Sequence, residues 1–325
     1  LIDRLSENFN TLGTQEGAMS IYALGLLGLD LSTVSPAFRE GLFSVAMKGL
    51  KDTNSSVHIS ISQQVSNIIY GMAKLNIKVD TTLPSHVEER MWESLRNIMG
   101  FMNEQEVANT IYSLGLMGFK WDLLQQQDRS LIQKTLIVRI RRMITQGVSN
   151  TVYGMGLMGA DWSSMSKEYK EAVTEACIQF MKSDKHIIKG PKRRTQGFPQ
   201  ATANIIYSLG NSNAKWNEFS DGFKLACKTA IHNEMPQMNN QEVCNLIYGM
   251  GVIRADYSTL DPVIAESLAS NFYRVSSDIS QQELCSVLHG YGKMEAIWSD
   301  LPQDLQKTMI SSIIHHGQLG ELCLA

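Results

Sequence analysis

Amide side chains at fixed distances from an aromatic residue are the most regular chemical feature of this 325-residue sequence. One phrase recurs seven times, and we call the aromatic residue at its centre the anchor. A glutamine precedes every anchor by seven positions, and an asparagine precedes five of them by three. Carboxamides donate and accept hydrogen bonds, so these rows could contact base edges or bond to neighbouring backbone, and both interpretations stay open. The candidate ligand-facing amides are Gln105, Asn109, Gln146, Asn150, Gln200 and Asn204.

Two clusters of basic residues could bind phosphate. Residues 128–142 hold five basic residues against one acid, and residues 182–194 hold six against one, although the chain has a formal charge of −3. That charge excludes a uniformly basic nucleic-acid binder but not a local patch. The second cluster lies in a basic insertion at about 183–198, whose Gly and Pro residues predict a loop. The candidate contacts are Arg139, Arg141, Arg142, Lys185, Lys189, Lys192, Arg193 and Arg194. Solvated surface charge is the competing interpretation.

Catalytic and cofactor motifs find little support in the sequence. Gly154, Gly156 and Gly159 match the G-x-G-x-x-G dinucleotide fingerprint, but they stand at the end of a predicted helix, whereas the fingerprint follows a strand. The seven histidines and five cysteines lack zinc-site spacing, and we expect free thiols packed as small apolar side chains. We therefore expect no enzymatic activity.

The elements that position these residues follow from the spacing of the anchors. The anchors are Tyr22, Tyr70, Tyr112, Tyr153, Tyr207, Tyr248 and His289, and their spacing gives a base period of 41 residues with extra residues in two intervals. Around each anchor, small and apolar residues spaced by three and four predict a close-packed helix. A Gly or Asn six positions after the first five anchors predicts its end, and a second helix follows. We predict an all-α fold: an α-solenoid of about seven helix–turn–helix repeats in a single domain, residues 1–325.

A large side chain returns nine positions after each anchor. In four copies it is a tryptophan, at positions 121, 162, 216 and 298. It could be a stacking platform for bases, but its fixed distance from the packing helix favours a core role at the junction between repeats. We therefore predict that all four tryptophans are mostly buried. No segment is apolar over the roughly 18 residues that a membrane span needs.

The phrase resembles the repeats of organellar helical-repeat proteins of the octotricopeptide and heptatricopeptide type, and the related arrays associated with FAST-kinase-like and RAP proteins. Residues 109–115 and 150–156 carry the likeness, where asparagine precedes an anchor followed by a run with small residues. The resemblance covers about residues 10–320. It implies an α-solenoid in a mitochondrion or plastid that binds RNA and affects its processing, stability or translation. It implies no cofactor.

Two functional hypotheses follow from these patterns. The first is a non-catalytic organellar protein that binds single-stranded RNA, with the clustered cations on phosphates and the amide rows on bases. The second is a scaffold that holds protein subunits of a larger organellar assembly, which the acidic balance favours. Neither includes a small-molecule substrate or a membrane span. The sequence begins at Leu1, so we expect a processed or interior piece whose targeting segment is not visible.

Overall fold

Helices form nearly all of the regular structure. The computed structural model describes residues 9–51, 58–182 and 198–318, and these ranges contain no β-strand. Their α-helices are α1 (Thr14–Leu26), α2 (Pro36–Lys51), α3 (His58–Lys74), α4 (Ser85–Ile98), α5 (Glu104–Leu116), α6 (Gln126–Arg139), α7 (Thr145–Leu157), α8 (Lys167–Lys182), α9 (Phe198–Asn211), α10 (Asp221–Glu234), α11 (Asn240–Val252), α12 (Pro262–Val275), α13 (Gln281–Lys293) and α14 (Gln303–Gln318). The all-α prediction is confirmed.

Short 3₁₀ helices connect many of the α-helices. They are Phe9–Thr11, Leu31–Thr33, Met99–Phe101, Trp121–Leu123, Ile140–Arg142, Trp162–Ser164, Trp216–Glu218, Met235–Gln237, Tyr257–Thr259 and Trp298–Asp300. Six of them begin nine positions after an anchor, at the large side chain of the repeat. Each repeat is therefore a first helix, a turn and a second helix.

All seven phrases form first helices, which are the odd-numbered helices of the chain. Several begin at a side chain that caps the free N–H groups of the first turn. Asn103 accepts a hydrogen bond from the Glu106 backbone N–H at 3.0 Å, and the Glu106 carboxylate accepts one from the Asn103 N–H at 2.9 Å. This reciprocal pair, a capping box, also starts α11 and α13.

The ends of the first helices share one backbone conformation. The residue six positions after the anchor has a positive φ in every copy: Gly28, Asn76, Gly118, Gly159, Asn213, Arg254 and Glu295. The next residue donates its N–H to a carbonyl five residues back, as from Ala255 to Met250 at 3.0 Å. This is the Schellman motif, which stops a helix by turning the chain through a left-handed residue. The predicted end is confirmed, and it extends to two copies without Gly or Asn.

Small residues let neighbouring first helices pack backbone against backbone. A Cβ built on Gly115 would lie 2.6 Å from the carbonyl oxygen of Gly154, and one built on Gly290 would lie 2.7 Å from that of Ile247. Real Cβ atoms do not approach an oxygen so closely, so these contacts require glycine. The tight packing keeps the exposed faces of adjacent first helices next to each other.

A backbone hydrogen bond joins successive repeats. The N–H nine positions after one anchor donates to the carbonyl five positions after the next anchor. This bond recurs five times: Val79 to Met117, Trp121 to Met158, Trp162 to Ser212, Trp216 to Ile253 and Tyr257 to Met294, with N–O distances of 2.6–2.9 Å. Each of these five turns is thereby fixed to the end of the following first helix.

The chain forms two compact units, residues 1–143 with 153–160 and residues 144–152 with 161–325. In the first unit α1, α3 and α5 pack in sequence, and in the second α9, α11 and α13 do the same. Each unit is thus a stack of helical hairpins, which confirms the predicted repeat fold of the α-solenoid type. The assignment of residues 1–325 to a single domain stays a prediction.

The buried core contains two of the four predicted tryptophans. Trp121 and Trp162 are 2% and 5% exposed, and the Trp162 ring packs on Phe219 with centroids 5.7 Å apart. Trp216 is half-buried. The prediction is wrong for Trp298, which is 47% exposed, because no further repeat follows it in the described residues.

Three of the cysteines also belong to the core. Cys177, Cys227 and Cys244 are buried free thiols, and Cys285 is exposed. Burial raises the pKa of Cys177 and of Cys244 to about 12, so both stay protonated at neutral pH. Cys323 lies outside the described residues. None of the helices in the described ranges is both long and apolar enough to span a bilayer.

Candidate functional site

A polar and aromatic surface follows the first helices. Positions seven and three before the anchor, and the anchor itself, are spaced by four and three residues, so they lie on one face of each helix. We call these positions the Gln–Asn–Tyr stripe. The glutamine is exposed in all seven copies, and the asparagine is half-buried in all five copies that have it. The stripe therefore faces solvent, while the small residues beside it face neighbouring helices.

The anchor rings form rows across adjacent first helices. Ring centroids are 5.6 Å apart for Tyr22 and Tyr70, and 6.1 Å apart for Tyr112 and Tyr153. In the second unit Tyr207 and Tyr248 are 5.8 Å apart, and Tyr248 and His289 are 5.7 Å apart. The rings are tilted by 32–44° to one another, and the tyrosines are half-buried. Each tyrosine is thus partly accessible to solvent.

One cation lies within the tyrosine row of the first unit. The Lys74 ammonium is 5.4 Å from the Tyr70 ring centroid and 5.5 Å from the Tyr112 centroid, which is the geometry of a cation–π contact. Burial, and to a smaller extent the nearby Tyr22, raise the pKa of Tyr70. Tyr70 therefore stays a neutral hydroxyl that can donate a hydrogen bond. Sequence reasoning missed Lys74, although its place four residues after an anchor puts it on the same helix face as the stripe.

The amides of the stripe are almost free of partners within the described residues. Asn67 donates to the Met19 sulfur at 3.7 Å, and we find no other side-chain hydrogen bond from a stripe amide to a described residue. The interpretation of these rows as structural, with amides bonded to neighbouring backbone, is therefore unsupported. Gln105, Gln146 and Gln200 are exposed, and Asn109, Asn150 and Asn204 are half-buried. Their donors and acceptors are available to a ligand.

The three candidate arginines of the first basic cluster differ in their contacts and in their exposure to solvent. Arg139 holds α6 against the start of α5, since its guanidinium lies 3.4 Å from a Glu104 carboxylate oxygen and donates to the Gly100 carbonyl at 3.2 Å. Arg141 is exposed and donates to the carbonyl of Ile137 at 3.1 Å. Arg142 is exposed at the end of its 3₁₀ helix. Arg141 and Arg142 are thus more exposed to solvent than Arg139.

The second basic cluster lies outside the described residues. This applies to Lys185, Lys189, Lys192, Arg193 and Arg194, so the loop prediction for about 183–198 stays a prediction.

The apparent dinucleotide fingerprint belongs to helix packing. Gly154 and Gly156 lie inside α7, which follows a 3₁₀ helix and not a strand. A Cβ on Gly154 would lie 2.5 Å from the Ile111 carbonyl oxygen, and Gly159 is the left-handed residue that ends the helix. In the described part of the chain, no group of three or more His, Cys, Asp and Glu side chains could hold a metal ion.

The candidate site that sequence reasoning assembled lacked its aromatic part. The sequence pattern assigns the tyrosine anchors to the packing helices and predicts no ligand contact for them, yet their rings are partly exposed on the same helix face as the amides. The signal was present in the sequence, because Asn and Tyr three residues apart share a helix face. No protein-family model matches this chain, and no curated protein matches it in sequence.

Proposed function

We propose that this protein binds single-stranded RNA along the Gln–Asn–Tyr stripe. The observation that carries the proposal is a recurring group on consecutive first helices. Exposed glutamines and half-buried asparagines, almost all without a hydrogen-bond partner among the described residues, lie on the same face as half-buried tyrosine rings. In other helical-repeat proteins two or three side chains of each repeat read one unstacked base, with amides on base edges and aromatic rings on base faces. The stripe supplies the same groups in five consecutive repeats.

Cations would contribute the remaining contacts. Lys74 contacts two anchor rings of the stripe, and Arg141 and Arg142 are exposed after α6, so these three cations are the candidate phosphate contacts. A role in RNA processing, stability or translation in a mitochondrion or plastid belongs to the same proposal, and it rests on the resemblance of the repeat phrase.

The test replaces three stripe amides that have no partner, Asn109, Asn204 and Asn245, with alanine. Each lost hydrogen bond to a base should cost about 0.5–1.5 kcal/mol, so the triple variant should bind a mixed-sequence single-stranded RNA at least about tenfold more weakly. The melting temperature should not change, since no bond within the described residues is lost. Fluorescence anisotropy with a labelled oligonucleotide gives the affinity.

The matched control removes three exposed amides that lie outside the stripe: Gln179, Asn217 and Gln303. This variant should keep the affinity of the parent protein. Equal losses in the two variants would show that the stripe is not the RNA surface.

A second candidate function is the binding of an extended peptide by the same surface. The few cations on the stripe favour it, because amides can bond to a peptide backbone without any charge. A competing extended peptide should displace a bound protein partner, and the affinity for that partner should depend little on the salt concentration. RNA binding should weaken as salt rises, with a slope of about −0.7 in log affinity for each phosphate contact.

A further inference from the structure

Five consecutive first helices carry the same three side chains on the stripe. They belong to α3, α5, α7, α9 and α11, and the sets are Gln63, Asn67 and Tyr70; Gln105, Asn109 and Tyr112; Gln146, Asn150 and Tyr153; Gln200, Asn204 and Tyr207; and Gln241, Asn245 and Tyr248. The two outer helices differ, since α1 has Met19 and α13 has Ser286 and His289 in place of Asn and Tyr. Identical sets offer identical chemistry, so they cannot prefer different bases.

The spacing of the rings sets how a bound strand must be arranged. Neighbouring anchors are 5.8 Å apart between Tyr207 and Tyr248, and 6.1 Å apart between Tyr112 and Tyr153. Stacked bases are about 3.4 Å apart along a strand. Bases bound one to a repeat must therefore be unstacked. A strand whose bases stack weakly in the free state loses the least stacking free energy when it binds. The ring spacing therefore favours pyrimidine runs over purine runs.

The edges of pyrimidine bases suit the free amides. Uracil offers its N3–H donor beside carbonyl acceptors, and cytosine offers its amino donor beside the N3 acceptor. A carboxamide has one donor side and one acceptor side, so it can make two hydrogen bonds with either edge. Adenine offers a similar edge, so the amides hold a base that is already unstacked, and the cost of unstacking sets the preference for pyrimidines. The Gln and Asn of one set are four residues apart on the same face, which gives each base a second amide.

We infer that the stripe binds pyrimidine runs in preference to purine runs. The inference rests on the proposed RNA binding and adds the class of RNA. Because each unit carries neighbouring identical sets, the preference belongs to each unit by itself and should accumulate with the number of sets that are occupied.

The first experiment compares four ten-nucleotide RNAs with the whole chain: U10, C10, A10 and alternating (UC)5. We expect U10, C10 and (UC)5 each to bind at least about tenfold more tightly than A10, because all three stack weakly in the free state. If all four bind equally, the preference for pyrimidine runs is wrong while RNA binding stands. Tightest binding of A10 would overturn the argument from unstacking. If none of the four binds, the proposed function itself fails.

The second experiment tests whether the stripe creates the preference. Asn109→Ala and Asn204→Ala should each lower the affinity for the preferred pyrimidine run several-fold and leave the affinity for A10 nearly unchanged. Gln179→Ala, on α8 outside the stripe, should change neither. A variant that weakens both RNAs to the same extent would assign Asn109 or Asn204 a structural role and overturn the inference.

Discussion

A single residue in a left-handed conformation ends each first helix, and in two repeats it carries a long side chain. Arg254 has a φ of 54° and Glu295 a φ of 56°, and both are exposed. Side chains with a Cβ raise the energy of this conformation by roughly 1–2 kcal/mol, whereas glycine adopts it freely. The Schellman hydrogen bonds of the repeat hold these two residues in place despite that strain.

At this scale we predict that Arg254→Gly stabilises the protein. Relief of the left-handed strain, less the entropy that glycine loses on folding, should raise the free energy of unfolding by about 0.5–1 kcal/mol. Urea denaturation measures the change. Asn213→Gly is the matched control at the same position of another repeat, and it should gain less, because asparagine tolerates a positive φ. A loss of stability in Arg254→Gly would contradict the argument.

The residue scale also shows what a sequence pattern can assign. The spacing of Gln and Asn predicted that they share a face, and the structure agrees. It could not decide whether that face bonds to neighbouring backbone or meets solvent, because a helix has the same period in both cases. Only the packing of glycines at the neighbouring positions, such as Gly115 against Gly154, fixes which side is covered.

At the scale of the element, first helices depend on glycines that are equivalent in sequence but not in surroundings. Gly251 and Gly292 occupy the same position of consecutive repeats, three residues after the anchor. A Cβ on Gly251 would lie 2.8 Å from the Cα of Gly290, while one on Gly292 would have nothing within 4 Å. The contact, and not the residue type, makes glycine necessary.

We expect opposite effects from one substitution at these two positions. Gly251→Ala should lower the free energy of unfolding by about 1–3 kcal/mol, since α11 and α13 must move apart. Gly292→Ala should raise it by up to about 1 kcal/mol through helix propensity alone. Thermal and urea denaturation of the two variants would check this. Equal changes of the same sign would mean that the close approach of α11 and α13 does not control stability.

At the scale of the whole molecule, the tryptophans distinguish repeats that have a following neighbour from the last described one. Trp162 is 5% exposed and Trp298 47%. We predict that Trp162→Ala lowers the free energy of unfolding by roughly 3–5 kcal/mol. Trp298→Ala should lower it by about 1 kcal/mol or less. Comparable losses in the two variants, measured by urea denaturation, would contradict this difference in burial.

The exposure of Trp298 also marks where sequence reasoning fails. The period of 41 residues predicted every first helix and most helix ends, because each signal lies within one repeat. Burial at a junction depends on the next repeat, so the same residue type is buried within the array and exposed in the last described repeat. The tyrosine rows were unpredictable for the same reason, because the distance between Tyr207 and Tyr248 results from packing between repeats.

The hydrogen bond that joins successive repeats uses only backbone atoms, as between Trp216 and Ile253. No particular side chain needs to be inherited for it to form. An in-frame tandem duplication of one 41-residue segment would carry its own donor and its own acceptor, and the copy could join its neighbours at once. Lineages could thus lengthen or shorten the array by unequal recombination, and each added copy would bring another Gln, Asn and Tyr to the surface. The length of the stripe could then evolve separately from the side chains that each repeat contributes.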